Sequence, residues 1–300
     1  MALVLTLIAD PSRRKLSAEA VDAARSALSS GGGTVGPSDW LSPDEACDLP
    51  FDGLASRDAE RLAREALGDL PVDLAAQPLA GRRKALLLAD MESTIIGEEM
   101  LDELAEVVGL REEIAEVTAR AMAGELDFEE ALQARVAKLA GLPLREVERA
   151  AERMTFNPGA RSLIRTLQEA GVPCTLVSGG FTIFAELVAE ACGFSAVRAN
   201  RLEIAQGEVS GRVTPPILGR EAKLEALEDL SAELGVTPAA ACTVGDGAND
   251  LAMLNAAGLG VAYRGKPAVR AEARFTLDVA DLTGLLFYQG YRRADFADLG

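Results

Sequence analysis

The segment Ala85-Leu-Leu-Leu-Ala-Asp90-Met-Glu92-Ser93-Thr94 constrains this chain more than any other stretch. Its apolar run is too short for a buried helix and is bounded by polar residues. It reads as a strand covered on both faces, the pattern of a parallel sheet. In open α/β sheets, ligands bind beyond the carboxyl ends of the strands. Asp90 therefore stands where a nucleophile or a metal ligand belongs. The plainer alternative is an acid that caps the next helix.

Beyond residue 160 the pattern repeats. Ser162–Ala170, Thr182–Cys192, Ala222–Leu234 and Asn249–Ala257 read as helices. The strand-like runs Pro173–Val177, Ala240–Val244 and Leu259–Ala262 alternate with them. Such alternation predicts an α/β fold with a doubly wound parallel sheet. Ala199–Ala205 and Glu208–Val213 flank Gln206-Gly207, a hairpin expected at the sheet's edge. Residues 97–154 are helical throughout, with Glu and Leu at three- and four-residue spacing. They form an insertion between the first two core strands, hanging over the strand ends. Residues 1–80 form a separate α/β unit: a strand at Ala2–Ala9, helices at Ser17–Ser29 and Asp58–Leu67, and a short strand at Val72–Ala75. The expected domains are thus 1–80, a core of 81–96 with 155–300, and the insertion 97–154.

Composition narrows the chemistry. The chain has no histidine, which removes Ser-His-Asp and Cys-His catalysis and His-ligated zinc. Catalysis must run on carboxylates, Lys, Arg, hydroxyls and oxygen-loving metals. The formal charge of −17 argues against a nucleic-acid partner. A small phosphorylated metabolite remains suitable if a few cations are gathered locally. Cys47, Cys174, Cys192 and Cys242 are scattered, without C-x-x-C spacing, and are expected as reduced thiols. No segment approaches a membrane span or a secretory leader, so a cytoplasmic protein with no membrane partner is expected.

Three more polar motifs sit at strand ends or helix starts. Ser178-Gly179-Gly180 follows a strand, where glycines let backbone N–H groups approach an anion and Ser178 adds a hydroxyl. By itself, a glycine turn after a strand is far more often just a turn. Gly245-Asp246-Gly247-Ala248-Asn249-Asp250 concentrates oxygen donors of the kind Mg²⁺ takes; an Asp-Gly turn with a helix cap is the alternative. Lys223 opens a helix, where a lone lysine is usually solvated. In this order on one sheet, the four motifs supply a nucleophile, anion donors, a cation and an acidic metal site. Those are the parts of a phosphoryl-transfer site.

Together these motifs resemble the haloacid dehalogenase superfamily of aspartate-nucleophile phosphatases and, within it, the phosphoserine phosphatase family, over about residues 84–292. The resemblance implies that Asp90 attacks phosphorus while Ser178 and Gly179 bind the phosphoryl group. It implies that Lys223 neutralises charge, that Asn249 belongs to the same substrate-binding set, and that Asp90, Glu92 (through its carbonyl), Asp246 and Asp250 hold Mg²⁺. Residues 97–154 resemble that family's helical cap. There Glu99 would meet the substrate ammonium, Arg135 its carboxylate, and Met122 and Phe128 would form an apolar wall. One position departs from the family's Asp-x-Asp-x-Thr: Glu92 replaces the second Asp, the general acid and base. The extra methylene shifts the carboxylate by about 1 Å, a displacement that can cost about a hundredfold in rate. Residues 1–80 are similar in length to the ACT-like, ferredoxin-like module of related bacterial enzymes.

The expected activity is Mg²⁺-dependent hydrolysis of O-phosphoserine to serine and phosphate, the last step of serine synthesis. Two alternatives stay open: a phosphatase or phosphotransferase for another small ester, and a weakly active amino-acid sensor. A homodimer is compatible with the sequence, which leaves oligomeric state undecided.

Overall fold

A seven-stranded sheet organises the larger part of the chain. The computed structural model describes residues 2–122, 126–219 and 221–297, without the side chains of Ala119, Ala121 and Met122. The sheet begins with β6 (Leu86–Ala89) and takes in β7 (Cys174–Phe181), β8 (Ala196–Ala205), β9 (Glu208–Thr214), β10 (Ala241–Gly245), β11 (Leu259–Tyr263) and β12 (Phe275–Leu277). The strands lie in the order β12-β11-β10-β6-β7-β8-β9 and all neighbours are parallel except β8 and β9. β6 and β10 are buried along their whole length, as a central place in a parallel sheet requires; Thr243, the one polar residue of β10, donates to Met253 O at 3.4 Å. Helices α7 (Ala160–Glu169), α8 (Thr182–Cys192), α9 (Ala222–Glu233), α10 (Leu251–Ala256), α11 (Pro267–Glu272) and α12 (Gly284–Tyr288) connect or follow these strands.

The chain winds outward in one direction through β6, β7 and β8, and in the other through β10, β11 and β12. The reversal lies between β6 and β10. A topological switch of this kind opens a crevice at the strands' carboxyl ends, where α/β sheets bind ligands.

Between β6 and β7 the chain inserts α3 (Met100–Val107), α4 (Arg111–Met122), α5 (Phe128–Ala137) and α6 (Leu144–Ala151). Helix α5 starts at a capping box. Asp127 Oδ1 accepts from Glu130 N at 2.8 Å, and Glu130 Oε2 accepts from Asp127 N at 3.0 Å. The two strands of chain that lead in and out are zipped together. Ile96 bridges Phe156, and Gly97 N donates to Thr155 O at 3.0 Å. Asn157 Nδ2 donates to Thr94 O at 2.8 Å. The hairpin expected at the sheet edge does more than end the sheet: Gly141 N donates to Val209 O and Leu144 N to Gly207 O, so β8–β9 also supports the inserted helices.

Residues before β6 form a second sheet, all antiparallel, from β1 (Leu3–Ala9), β2 (Thr34–Val35), β3 (Asp39–Ser42), β4 (Ala46–Asp52) and β5 (Val72–Pro78). Helices α1 (Ala18–Ser30) and α2 (Ser56–Leu67) bury Val21, Ala24, Leu28, Ala59 and Ala63 against Leu5, Leu7, Leu49 and Phe51. Ser17 caps α1, as its sequence suggests, accepting from Ala20 N at 3.2 Å. Three of these strands, β2 to β4, are not evident from periodicity. β4 carries Asp48 and Pro50, residues disfavoured in a sheet interior. Asp48 is tolerated because Thr6 Oγ1 donates to it at 2.6 Å and Arg82 Nη1 lies 2.6 Å away. The strand at Val72 also runs on to Pro78, because Ala75, Ala76 and Gln77 complete the ladder with β1.

The two sheets are joined by polar contacts. Asp73 of β5 accepts from the backbone N–H groups of Asp278, Val279 and Ala280 at 2.8, 2.9 and 2.8 Å. Arg274 Nη1 donates to both carboxylate oxygens of Glu60, at 2.9 and 2.8 Å, and Nη2 to Ala76 O at 3.0 Å. Among the described residues no helix is long and apolar enough to cross a membrane.

Candidate active site

Asp90 leaves β6 at the switch point, and its N–H donates to Val244 O of β10 at 3.0 Å. It caps no helix. Oδ1 instead accepts from Met91 N at 2.8 Å and lies 2.7 Å from Lys223 Nζ. Lys223 also reaches Asp250 Oδ1 at 2.5 Å. Asp250 precedes α10 without capping it; its other oxygen accepts from Gly247 N at 2.9 Å. The end of β10 must pass very close to this carboxylate, which explains Gly245: any Cβ there would collide with Asp250.

One carboxylate oxygen each from Asp90, Asp246 and Asp250 lies within 4.8 Å of the others, and all three residues are buried. Lys223 is the one buried Lys or Arg among the described residues. Three carboxylates against one ammonium leave an excess of negative charge where water cannot screen it. Burial, then repulsion by Asp250, drives the Asp90 carboxyl well above the usual carboxylate range, although Lys223 opposes this. Asp246 is raised by burial, with Lys266 as the main opposing charge. Burial alone would lower Lys223, but Asp90 and Asp250 outweigh it and hold the ammonium protonated. An all-oxygen donor set with uncompensated negative charge fits a hard divalent cation.

Ser178, Gly179, Lys223, Asn249 and Phe128 line one small pocket beside this cluster. Ser178 Oγ accepts from Gly180 N at 2.9 Å, which tightens the glycine turn. Phe128, first residue of α5, lies over Gly179: a methyl group there would stand 3.5 Å from its Cζ.

Glu92 is placed by the start of α3, where Met100 N donates to its Oε1 at 2.9 Å. Burial and the neighbouring Glu99 push the Glu92 carboxyl up to about 7. Between Glu92 and the buried Thr94, Ser93 adopts a left-handed backbone (φ 56°), a conformation that costs energy outside glycine. Its hydroxyl donates to Glu99 Oε1 at 2.8 Å. Glu99 keeps contact with solvent, yet surrounding protein and the charge of Asp246 raise its carboxyl, against the Ser93 hydrogen bond. Arg135 of α5 is half-buried, and burial lowers its pKa while Asp102, Glu92 and Glu99 oppose that shift. The side chain of Met122 lies outside the described residues.

Every other residue singled out from sequence is therefore in this neighbourhood. Three neighbours had no such signal. Lys266, ahead of α11, has Nζ 3.6 Å from Asp246 Oδ2, and its N–H donates to Asp246 O at 3.1 Å. Asn157 secures the backbone at Thr94. Asn200 holds the Gly179 carbonyl at 2.9 Å. Asparagine is disfavoured within strands, so its place in the strand-like run Ala199–Ala205 is the one unusual feature the sequence shows at Asn200.

The haloacid dehalogenase-like hydrolase family model matches residues 87–255. A phosphoserine phosphatase of Streptomyces coelicolor is 44% identical over 236 residues, covering 78% of this chain and 57% of that protein. This chain thus spans less than two thirds of that relative's length. The phosphoserine phosphatase of Streptococcus thermophilus is 42% identical over 66% of this chain and 93% of its own. Among solved structures, the unliganded probable phosphoserine phosphatase of Vibrio cholerae superposes with a TM-score of 0.79. It is 30% identical, over 98% of this chain and 88% of that one.

Proposed function

The chain belongs to the haloacid dehalogenase-like hydrolases and, within them, to the phosphoserine phosphatase family; on that premise we propose that it hydrolyses O-phosphoserine to serine and phosphate with Mg²⁺. One observation carries the reading: Asp90, Asp246 and Asp250 crowd together at the switch point with Lys223 between two of them.

Asp90 attacks phosphorus as the bond from phosphorus to the serine oxygen breaks, giving an aspartyl-phosphate. Glu92 gives its proton to the departing oxygen. It then takes one from water, whose oxygen displaces Asp90 and completes inorganic phosphate. A carboxyl held near 7 suits both duties at neutral pH. Ser178, the Gly179 backbone and Lys223 bind phosphoryl oxygens, and Asn249 borders the same pocket. Asp90, the Glu92 carbonyl, Asp246 and Asp250 would hold Mg²⁺, which cancels charge between carboxylates and phosphate when bound. One oxygen from each of the three carboxylates lies within 4.8 Å of the others, close enough for a single small divalent cation to gather them. Glu99 recognises the ammonium of the substrate and Arg135 its carboxylate.

We read residues 97–154 as a helical cap over this core of 81–96 and 155–300, and residues 1–80 as an ACT-like module. The antiparallel sheet with two helices on one core supports the second assignment. We place the reaction in the cytoplasm, where the four free thiols stay reduced.

The test is steady-state phosphate release from phosphoserine, with Mg²⁺ or with EDTA, for wild type, Asp90→Asn and Glu92→Gln. Turnover should require Mg²⁺ and vanish in Asp90→Asn. Glu92→Gln should slow by about 10²–10⁴-fold and accumulate a covalent phosphoryl adduct visible by mass spectrometry. An inert wild type, or full activity in Asp90→Asn, would sink the assignment.

A further inference from the structure

The parallel ladder between β7 and β8 breaks at the anion-binding turn. Val177 pairs with Arg198 and Phe181 with Asn200, so Ser178, Gly179 and Gly180 face Ala199 alone. The surplus residues bulge from the sheet, which aims their backbone away from the ladder. Their own polar groups then need other partners. Gly180 N finds Ser178 Oγ, and the Gly179 carbonyl finds Asn200. Asn200 is buried to 1% exposure, and its Nδ2 donates to Gly179 O at 2.9 Å and to Leu218 O at 3.3 Å. Its Oδ1 accepts from Leu218 N at 2.7 Å, which settles the orientation of the amide.

Leu218 and Gly219 lead into α9, whose second residue is Lys223. One amide thus ties the Ser178–Gly180 turn to the segment that delivers the lysine. Phe128 rests across the same pair of loops. A methyl group on Gly179 would lie 3.5 Å from its Cζ, and one on Gly219 3.9 Å from its Cδ1.

We propose that Asn200 is a positioning residue that holds the two anion-binding loops at the separation a phosphoryl group needs and keeps Gly179 and Gly219 aligned as the seat of Phe128. This rests on the phosphatase reading of the site. Asn200 takes no part in bond making; it acts through Gly179 and Leu218.

The test compares wild type with Asn200→Ala and the isosteric Asn200→Asp. The aspartate keeps the acceptor for Leu218 N but turns an oxygen towards the carbonyls of Gly179 and Leu218. Displacing a binding loop by about 1 Å costs about a hundredfold in rate. So kcat/KM should fall about a hundredfold, equally for phosphoserine and for p-nitrophenyl phosphate, because the phosphoryl group is common to both. Inhibition by orthovanadate should weaken in step. Amide exchange should quicken in residues 174–181 and at Ile217, Leu218 and Gly219, and stay unchanged across β10 to β12. Should Asn200→Ala not fold, Asn200→Asp carries the same test. Wild-type kcat/KM and vanadate inhibition in a folded variant, or exchange that quickens evenly through the core, would overturn the proposal. A wild type inert towards both esters would instead sink the phosphatase reading, while the exchange pattern would still decide the role of Asn200.

Discussion

Glu92 and Gly180 are in such close contact that a methyl group on Gly180 would stand 2.9 Å from Glu92 Oε2 and 3.0 Å from its Oε1. The longer acid fits here because β7 runs a residue without a side chain past it, while Met100 N anchors the same carboxylate at 2.9 Å. Gly180→Ala should push Glu92 off its seat and lower kcat by about 10–100-fold. The melting temperature should barely move, since only the end of a side chain is displaced. In a Glu92→Asp background the same substitution should cost less. A double-mutant cycle in kcat measures that coupling, and strict additivity would refute the contact's importance.

Arg135 should govern substrate choice rather than chemistry. A charged hydrogen bond contributes about 1.5–3 kcal/mol, so Arg135→Ala should raise KM for phosphoserine by about 10–100-fold. Turnover of p-nitrophenyl phosphate, which has no carboxylate of this kind, should not change. Parallel kinetics on both esters check this, and an equal loss on both would remove Arg135 from carboxylate recognition.

Asp73 joins the two sheets through three backbone N–H groups. Asp73→Ala leaves these donors without their acceptor and should lower unfolding free energy by roughly 3 kcal/mol. Urea titration followed by circular dichroism measures it. An unchanged midpoint would show that water replaces the carboxylate freely.

All four cysteines are buried and free. Burial pushes the thiols of Cys47, Cys174 and Cys242 up to about 12, and that of Cys192 up to about 11. Unfolded cysteine titrates near about 8.5, so the native state holds its thiol protons more tightly than the unfolded chain. The stability this confers is present in full below about pH 8.5 and is lost as pH rises towards the folded values. Melting temperature should therefore decline above about pH 9. Thiol reagents at pH 8 should label the protein only in denaturant. Rapid labelling of the native protein would contradict the burial of these side chains.

The candidate site was largely legible in the chain because its signals are local. Asp90, Ser178 and Asp246 each follow a short, mostly apolar run that reads as a strand, and strand ends in such sheets are where sites form. Lys223 was the exception. On its helix it looks like any solvated lysine, and only its contacts with Asp90 and Asp250 distinguish it. β4 was hidden because Asp48 and Pro50 mask its period, and its partners Thr6 and Arg82 are far away in sequence.

The sequence by itself determined the alternation of strands and helices, the run of helices between β6 and β7, and the order in which acids, hydroxyl, glycines and lysine arrive at strand ends. These follow from side-chain periodicity and turn chemistry, which act over a few residues. Tertiary structure alone decided that β6 and β10 lie side by side, so that Asp90 meets Asp246 and Asp250. It also decided that Gly180 makes room for Glu92, and that Asn200 mends the ladder where β7 bulges. Those outcomes depend on register and close packing between segments distant in the chain, and no local pattern encodes which segments will touch.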